Sequence, residues 1–295
     1  MKEKNCVAII GGGPAGLTAA LYLGRAHVSC VVFDTDMCGG QIVSSPLLEN
    51  VPGFYGPGAD LAMQMLDEIA KYPSVELVNF TKVINIRPIS DDEQLLTFED
   101  GTKMRFQYVI CATGSTPIKL PQLESENTHY CVTCDGALYE GKTIAVIGGG
   151  NTALQYALEL TKYAAKIYIC TNEYSLRGEE IMHERLLNEP KIEVKTYFTA
   201  TSFDGKVLEQ AKGPSLTVDG IFVAIGYNTN TDYLDAFKSK GCFLTNIDFN
   251  IISPEKTFTN IFAVGDCRYK PFNQVVIAMS EGCQAALSII RDLEK

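Results

Sequence analysis

Two cysteines three positions apart, Cys131 and Cys134, are the residues of this chain best suited to do chemistry. In Cys131-Val132-Thr133-Cys134 the sulfurs can close a short-loop disulfide, and a helix starting there lowers a thiol pKa towards the reactive thiolate. Such a pair trades electrons with a partner disulfide by thiolate attack and a mixed-disulfide intermediate. Asp135, the next residue, read alone is the N-cap of the following helix. His129 either tunes a thiolate or is a surface residue. Zinc is the competing use of a CxxC, but it calls for a second pair nearby and none exists, so no metal site is expected.

The elements that must position this chemistry are written twice. A strand over Cys6 to Ile10 runs into Gly11-Gly12-Gly13-Pro14-Ala15-Gly16, a helix follows from Leu17 to Arg25, and a second strand, Cys30 to Phe33, ends at Asp34. The pattern returns with Thr143 to Ile147, the turn Gly148-Gly149-Gly150-Asn151-Thr152-Ala153, a helix through Tyr163 and a strand over Lys166 to Cys170. Glycines of this spacing let backbone approach a pyrophosphate at a helix N-terminus, and Asp34 stands where a strand-end acid accepts from a ribose hydroxyl. Two apolar strands, Tyr108 to Ala112 and Ile261 to Val264, break at Thr113-Gly114 and Gly265-Asp266. The expected class is α/β, with two Rossmann-like three-layer domains. The first is discontinuous (residues 1–114 and 241–295), with residues 115–240 inserted as the CxxC-bearing, NAD(P)-binding-like domain. Linkers are expected at Ser115-Thr116-Pro117 and Gly226-Tyr227-Asn228-Thr229.

Composition excludes several classes. The formal net charge of -10 argues against a nucleic-acid binder, whose affinity rests on neutralised phosphates. No apolar run is long enough to span a bilayer, and the stretch after the N-terminal lysines is too short for a signal sequence, so a cytoplasmic location is expected. The ten cysteines are not a secreted disulfide framework. Cys6, Cys30, Cys111 and Cys170 sit in strand-like apolar runs and read as small buried hydrophobes.

Taken together, the first glycine turn, Gly39-Gly40-Gln41, Glu49-Asn50-Val51-Pro52-Gly53-Phe54, Ala112-Thr113-Gly114, Cys131-Val132-Thr133-Cys134-Asp135-Gly136, the second glycine turn and Gly265-Asp266 resemble the low-molecular-weight thioredoxin reductase family over essentially the whole chain. The resemblance implies FAD in the first domain. The residues it implies as contacts are Gly11, Gly13, Pro14, Ala15, Gly16, Asp34, Gly40, Gln41, Asn50, Val83 through its backbone, Ala112, Gly114, Gly265, Asp266, Gln274 and Val275. Read alone, Gln41 and Asn50 would be polar caps of loops. The resemblance also implies that Cys134 faces the flavin, that Cys131 attacks thioredoxin, that Asp135 is the acid/base carboxylate, and that the protein is a homodimer.

One stretch departs from the family. NADPH-using members end the strand after the second turn in His-Arg-Arg-x-x-x-Arg, whose arginines grip the 2′-phosphate. Here it reads Thr171-Asn172-Glu173-Tyr174-Ser175-Leu176-Arg177, in which Arg177 alone remains. Three readings follow. Reduced ferredoxin feeds the flavin, as in the ferredoxin-dependent flavin thioredoxin reductases; or Glu173 holds the ribose of NADH (NADPH being the disfavoured nucleotide); or the CxxC oxidises a dithiol with oxygen as acceptor. The first is preferred. An acidic enzyme needs a local basic patch to dock acidic carriers, and Lys162, Lys166, Arg177, Arg185, Lys191 and Lys195 are the candidates, although acids are interleaved among them.

Overall fold

The computed structural model describes residues 7–90, 92–236 and 238–294, so Cys6 lies outside the described residues. The chain divides into two compact units, Met1–Thr116 with Thr229–Lys295, and Pro117–Asn228. Both crossings fall within the expected linkers. Residues 229–240 therefore go with the first unit rather than the inserted one, contrary to the boundary drawn at 240. The cause is local: Tyr233 and Leu234 are buried in the first unit's core, and Asn230 is tied to Thr113 in both directions.

The first unit carries a six-stranded sheet in the order Asn250–Ile252, Thr257–Ala263, Tyr108–Cys111, Val7–Ile10, Cys30–Phe33, Val75–Val78. All neighbours are parallel except the Asn250–Ile252 edge, which runs antiparallel. Central strands of such a sheet are covered on both faces, so they read as unbroken apolar runs. Val7 and Ile9 pack with Leu17, Leu23, Ala285 and Ile289 of the two long helices, Pro14–Arg25 and Val275–Leu293. Ala8 and Ile10 face the other way, onto Phe33, Leu96, Phe98 and Phe106. The helix after the first glycine turn begins at Pro14, three residues before the sequence expectation, because proline's fixed φ suits a first helical position.

The second unit repeats the plan on a smaller scale. Its five-stranded sheet runs Thr128–His129, Gly220–Val223, Thr143–Ile147, Lys166–Cys170, Ile192–Lys195, with every pairing parallel. The helix after the second turn spans Asn151–Leu160 and stops short of Tyr163. The stretch between Phe198 and Ile221 folds into a three-stranded antiparallel sheet, Ala200–Phe203, Val207–Gln210 and Leu216–Thr217. Among the described residues no helix is long and apolar enough to cross a membrane.

In the first unit the long C-terminal helix crosses the Pro14–Arg25 helix at Gly282, where a Cβ would lie 2.1 Å from the Ala15 carbonyl oxygen. Neither backbone can yield cheaply. Gly282→Ala is expected to cost about 2 kcal/mol, as overpacked cores do, and to lower the thermal denaturation midpoint.

Candidate functional site

The redox pair sits at the mouth of the second sheet. Cys131 and Cys134 are joined by a disulfide, with Cα atoms 5.4 Å apart. Their turn is anchored from below: Val132 is buried at 1% exposure, and the Tyr156 hydroxyl donates to the Tyr130 carbonyl at 2.7 Å. The helix here is one turn, Val132–Asp135, continued by a 3-10 turn over Gly136–Tyr139. Such a short helix has little dipole to offer, so the expected lowering of the thiol pKa by a helix start loses most of its force. A specific bond takes its place, for the Cys134 N–H donates to Cys131 Sγ at 3.1 Å.

Asp135 does not use its side chain as a cap. Its Oδ2 lies 3.1 Å from His129 Nδ1 instead, and His129 Nε2 lies 2.7 Å from the Tyr139 hydroxyl. His129 is thus no surface residue; its side chain is 12% exposed.

The candidate dinucleotide residues of the first unit are brought together around the first turn. Gly11 adopts φ +105°, and a Cβ there would lie 2.2 Å from the Ala112 carbonyl oxygen, which is why Ala112-Thr113-Gly114 can pass so close. The Gly12 N–H donates to Asp34 Oδ2 at 2.6 Å. Gly40 backs directly onto Gly13, where a Cβ would come within 2.7 Å of the Gly13 Cα. No side chain caps the helix that opens at Pro14. The Thr81 N–H bonds the Asp34 carbonyl at 2.7 Å, which holds the following Val83 strand beside Asp34. Val83 itself is buried, so its backbone is the part left to contact a ligand. Two further pairs join distant segments: Gln41 Nε2 donates to Ser115 at 2.7 Å, and Asn50 Nδ2 donates to Gln274 Oε1 at 3.2 Å. Gln274 is the N-cap position of the helix opening at Val275.

Gly265 and Asp266 rest on a buried charge cluster that sequence reasoning missed. Glu281 Oε2 accepts from the Gly265 N–H at 2.7 Å, while its Oε1 accepts from Arg268 at 2.9 Å and Lys270 stands 3.3 Å from Oε2. Lys270 also donates to the Gly265 carbonyl. Burial raises the Asp266 carboxyl above its ordinary range, opposed by Lys270 and reinforced by Glu281. An acid in the middle of the largely apolar run Val275–Leu293 was the available signal for Glu281.

The second turn repeats the first in backbone but not in side chains. Gly148 has φ +138° and sits as close to the Ala224 carbonyl oxygen as Gly11 does to that of Ala112. At the strand end, however, the residue facing Gly149 is Thr171, buried at 2%, with its hydroxyl accepting from the Glu173 N–H at 3.2 Å. Arg177 lies 3.7 Å from the Glu173 carboxylate. Most of the candidate basic patch is likewise matched by acids: Lys162 with Glu159 at 2.8 Å, and both Lys166 and Lys195 with Glu193 at 2.7 and 2.5 Å.

A profile of the pyridine nucleotide-disulphide oxidoreductase family matches residues 5–282. The chain belongs to this family. It is 36% identical to the 34.2 kDa protein in the rubredoxin operon of Clostridium pasteurianum, over 97% of each chain. It is 32% identical to the thioredoxin reductase of Listeria innocua, over 94% of this chain and 90% of the relative. Among solved structures, thioredoxin reductase from Lactococcus lactis superposes with a TM-score of 0.89 at 29% identity, covering 99% of this chain and all (100%) of the other. The chain is therefore a thioredoxin reductase-like flavin disulfide oxidoreductase, of a family whose members bind FAD.

The first unit's residues fit that cofactor. A glycine cradle that any Cβ would fill, an uncapped helix start and a strand-end carboxylate are what a pyrophosphate with an attached ribose requires. Three of the buried cysteines do not compete with the redox pair. Burial pushes the Cys38 and Cys170 thiols up to about 12 and that of Cys267 to about 11, so they stay neutral. After reduction, a brief pulse of iodoacetamide at neutral pH should alkylate Cys131 or Cys134 well ahead of those three, as peptide mass mapping would show. Separately, Glu281→Gln leaves Arg268 without its carboxylate and Lys270 with only the more distant Asp266, at 4.0 Å. It is expected to cost about 3 kcal/mol and to raise the rate of flavin loss, followed by the release of flavin fluorescence.

Proposed function

We propose that this protein is a flavin-dependent thioredoxin reductase that takes electrons from reduced ferredoxin and passes them through the Cys131–Cys134 disulfide to thioredoxin. The observation that carries the choice of donor is the side-chain environment of the second glycine turn. Thr171 stands where a nucleotide-binding strand would end in an acid, and Glu173 stands where a 2′-phosphate would need an arginine. The one remaining arginine, Arg177, is next to that carboxylate. Gly148 does not argue for a nucleotide, because its close approach to Ala224 requires a glycine with or without a ligand, whereas Gly150 has open space beside it and is not required by that approach. The Clostridium pasteurianum relative is named for an operon of rubredoxin, a one-electron carrier, which agrees with a protein donor.

The first unit, Met1–Thr116 with Thr229–Lys295, would hold FAD, through Gly11, Gly13, Pro14, Ala15, Gly16, Asp34, Gly40, Gln41, Asn50, the Val83 backbone, Ala112, Gly114, Gly265, Asp266, Gln274 and Val275. FAD bound there supplies electrons for reduction of the disulfide. Among the chain's own groups, Cys131 attacks the thioredoxin disulfide, Cys134 resolves the mixed disulfide, and Asp135 carries the proton. The Cys134 N–H aimed at Cys131 Sγ favours negative charge on the sulfur assigned to attack. Paired as they are, Lys162, Lys166, Arg177 and Lys195 offer little net charge for docking an acidic carrier, and the docking surface is not assigned to them.

The test is anaerobic bleaching of the FAD absorbance band with NADPH, NADH and reduced ferredoxin offered separately. Ferredoxin alone should bleach the flavin at a catalytic rate, and added thioredoxin should restore the colour. Rapid bleaching by either nucleotide would overturn the choice of donor and return the second turn to service as a cofactor site. Cys131→Ser should still bleach with the true donor but no longer hand electrons to thioredoxin.

A further inference from the structure

Beside the redox disulfide lies a hydrogen-bonded line of three side chains that the proposed function leaves unused. His129 ends the short Thr128–His129 strand, paired parallel with Gly220–Val223. Its ring packs on Phe222 at 5.2 Å and meets the Tyr139 ring edge-on at 5.3 Å, so it cannot swing freely. Tyr139 fills the space left by Gly220, where a Cβ would lie 2.4 Å from its ring. Burial, then the carboxylates of Asp135 and Asp219, push the Tyr139 hydroxyl above its ordinary range and keep it an O–H donor. If that O–H donates to Nε2, the imidazole proton must sit on Nδ1, which donates to Asp135 Oδ2. One arrangement satisfies all three groups.

The other charges facing this line are accounted for. Asp219 accepts from Lys206 and from the Thr143 N–H, and the Lys142 ammonium lies 5.1 Å from the centroid of the Tyr139 ring. The imidazole is therefore committed to Asp135 on one side and to Tyr139 on the other.

We propose that His129 is a positioning residue of the disulfide chemistry, holding the Asp135 carboxylate in place to move the proton between Cys134 and the departing sulfur of the substrate. The inference rests on reading Cys131–Cys134 as the redox pair and Asp135 as its proton carrier. The step balances within the site. The Cys131 thiolate forms a bond to one substrate sulfur as the substrate S–S bond breaks, while Asp135 relays the Cys134 proton to the other substrate sulfur, which leaves as a thiol. The Cys134 thiolate so formed attacks Cys131 Sγ, which closes the protein disulfide and releases the first substrate sulfur as a thiolate. The two protein sulfurs are oxidised and the two substrate sulfurs reduced, with no further reactant.

Such a role predicts a dependence on the leaving group, since a thiol of low pKa departs readily as a thiolate and a dialkyl thiolate does not. Holoenzyme reduced in advance would be mixed with a bis(nitroaryl) disulfide and, separately, with bis(hydroxyethyl) disulfide, and flavin and protein-disulfide reoxidation followed by stopped flow. His129→Ala should slow the dialkyl reaction by about tenfold or more, and leave the nitroaryl reaction within about twofold of the parent. His129→Asn, whose amide N–H stands near the place of Nδ1–H, should recover most of the lost rate. Equal slowing with both disulfides would make His129 merely structural and overturn the proposal, as would no slowing with either or a failed rescue by asparagine. Cys131→Ser separates the two levels of inference. If it keeps the fast reaction with both disulfides, the assignment of the redox pair has failed rather than the role of His129.

Discussion

Both units are built on the same close approach between backbones. In each, the first strand of the sheet ends in a glycine at positive φ, and the neighbouring strand's exit passes with its carbonyl where a side chain would have to be: Ala112 over Gly11, Ala224 over Gly148. That crossing fixes where the following helix begins, because the chain must turn at once to avoid the carbonyl. It also aims the helix start at the edge of the sheet, which is where an anion can be held. In the first unit the same geometry brings Asp34 onto the Gly12 N–H and sets Gly40 against Gly13. Once the crossing is made, most of the site follows from chain geometry.

Because the constraint is structural, it persists whether or not a ligand binds, and glycine turns alone are poor witnesses to function. What distinguishes the two units is the side chain at the end of the next strand. Asp34 offers a carboxylate beside the first turn, whereas Thr171 offers a buried hydroxyl that is already engaged by the Glu173 N–H. A threonine in that place closes the turn upon itself. The adjoining loop turns inward as well, with the Arg177 N–H bonded to the Gly149 carbonyl at 2.7 Å and Asn151 bonded to Glu179. The helix start of the second unit is thereby tied to Glu179 from its own following loop, whereas the first turn is met by the strand-end Asp34.

The sheets were legible because their strands are covered on both faces and must be apolar throughout. Cys30–Phe33, Thr143–Ile147 and Lys166–Cys170 have the bounds read from sequence, and Cys30, Cys111 and Cys170 are buried free thiols within such strands. The helix after the second turn was overrun by three residues, because no glycine or proline marks a stop between Leu160 and Tyr163, while the chain has already turned to rejoin Lys142. The site was legible where chemistry is local: a CxxC, a glycine turn, a strand-end acid. It was not legible where the partners are far apart in sequence. Glu281 reaches Gly265, and His129 reaches both Asp135 and Tyr139, only because tertiary packing brings them there.

The redox turn shows how such distant support can replace a device that local sequence suggests. A CxxC at the head of a long helix has the dipole to stabilise a thiolate. Here the helix is one turn, so stabilisation must come from a single group, the Cys134 N–H on the sulfur of Cys131, while the carboxylate bonded to His129 is suited to a proton rather than to a thiolate. A diffuse field would act on both sulfurs alike. Single groups act on one sulfur and one proton at a time, so the two cysteines of one short loop stand in different surroundings. The asymmetry extends to their exposure, since Cys131 is half-buried beside Val132 while Cys134 is exposed within the unit. Two chemically identical residues are thus distinguished by one backbone N–H and by the line from Tyr139 through His129 to Asp135, and that distinction is what an ordered transfer through a dithiol needs.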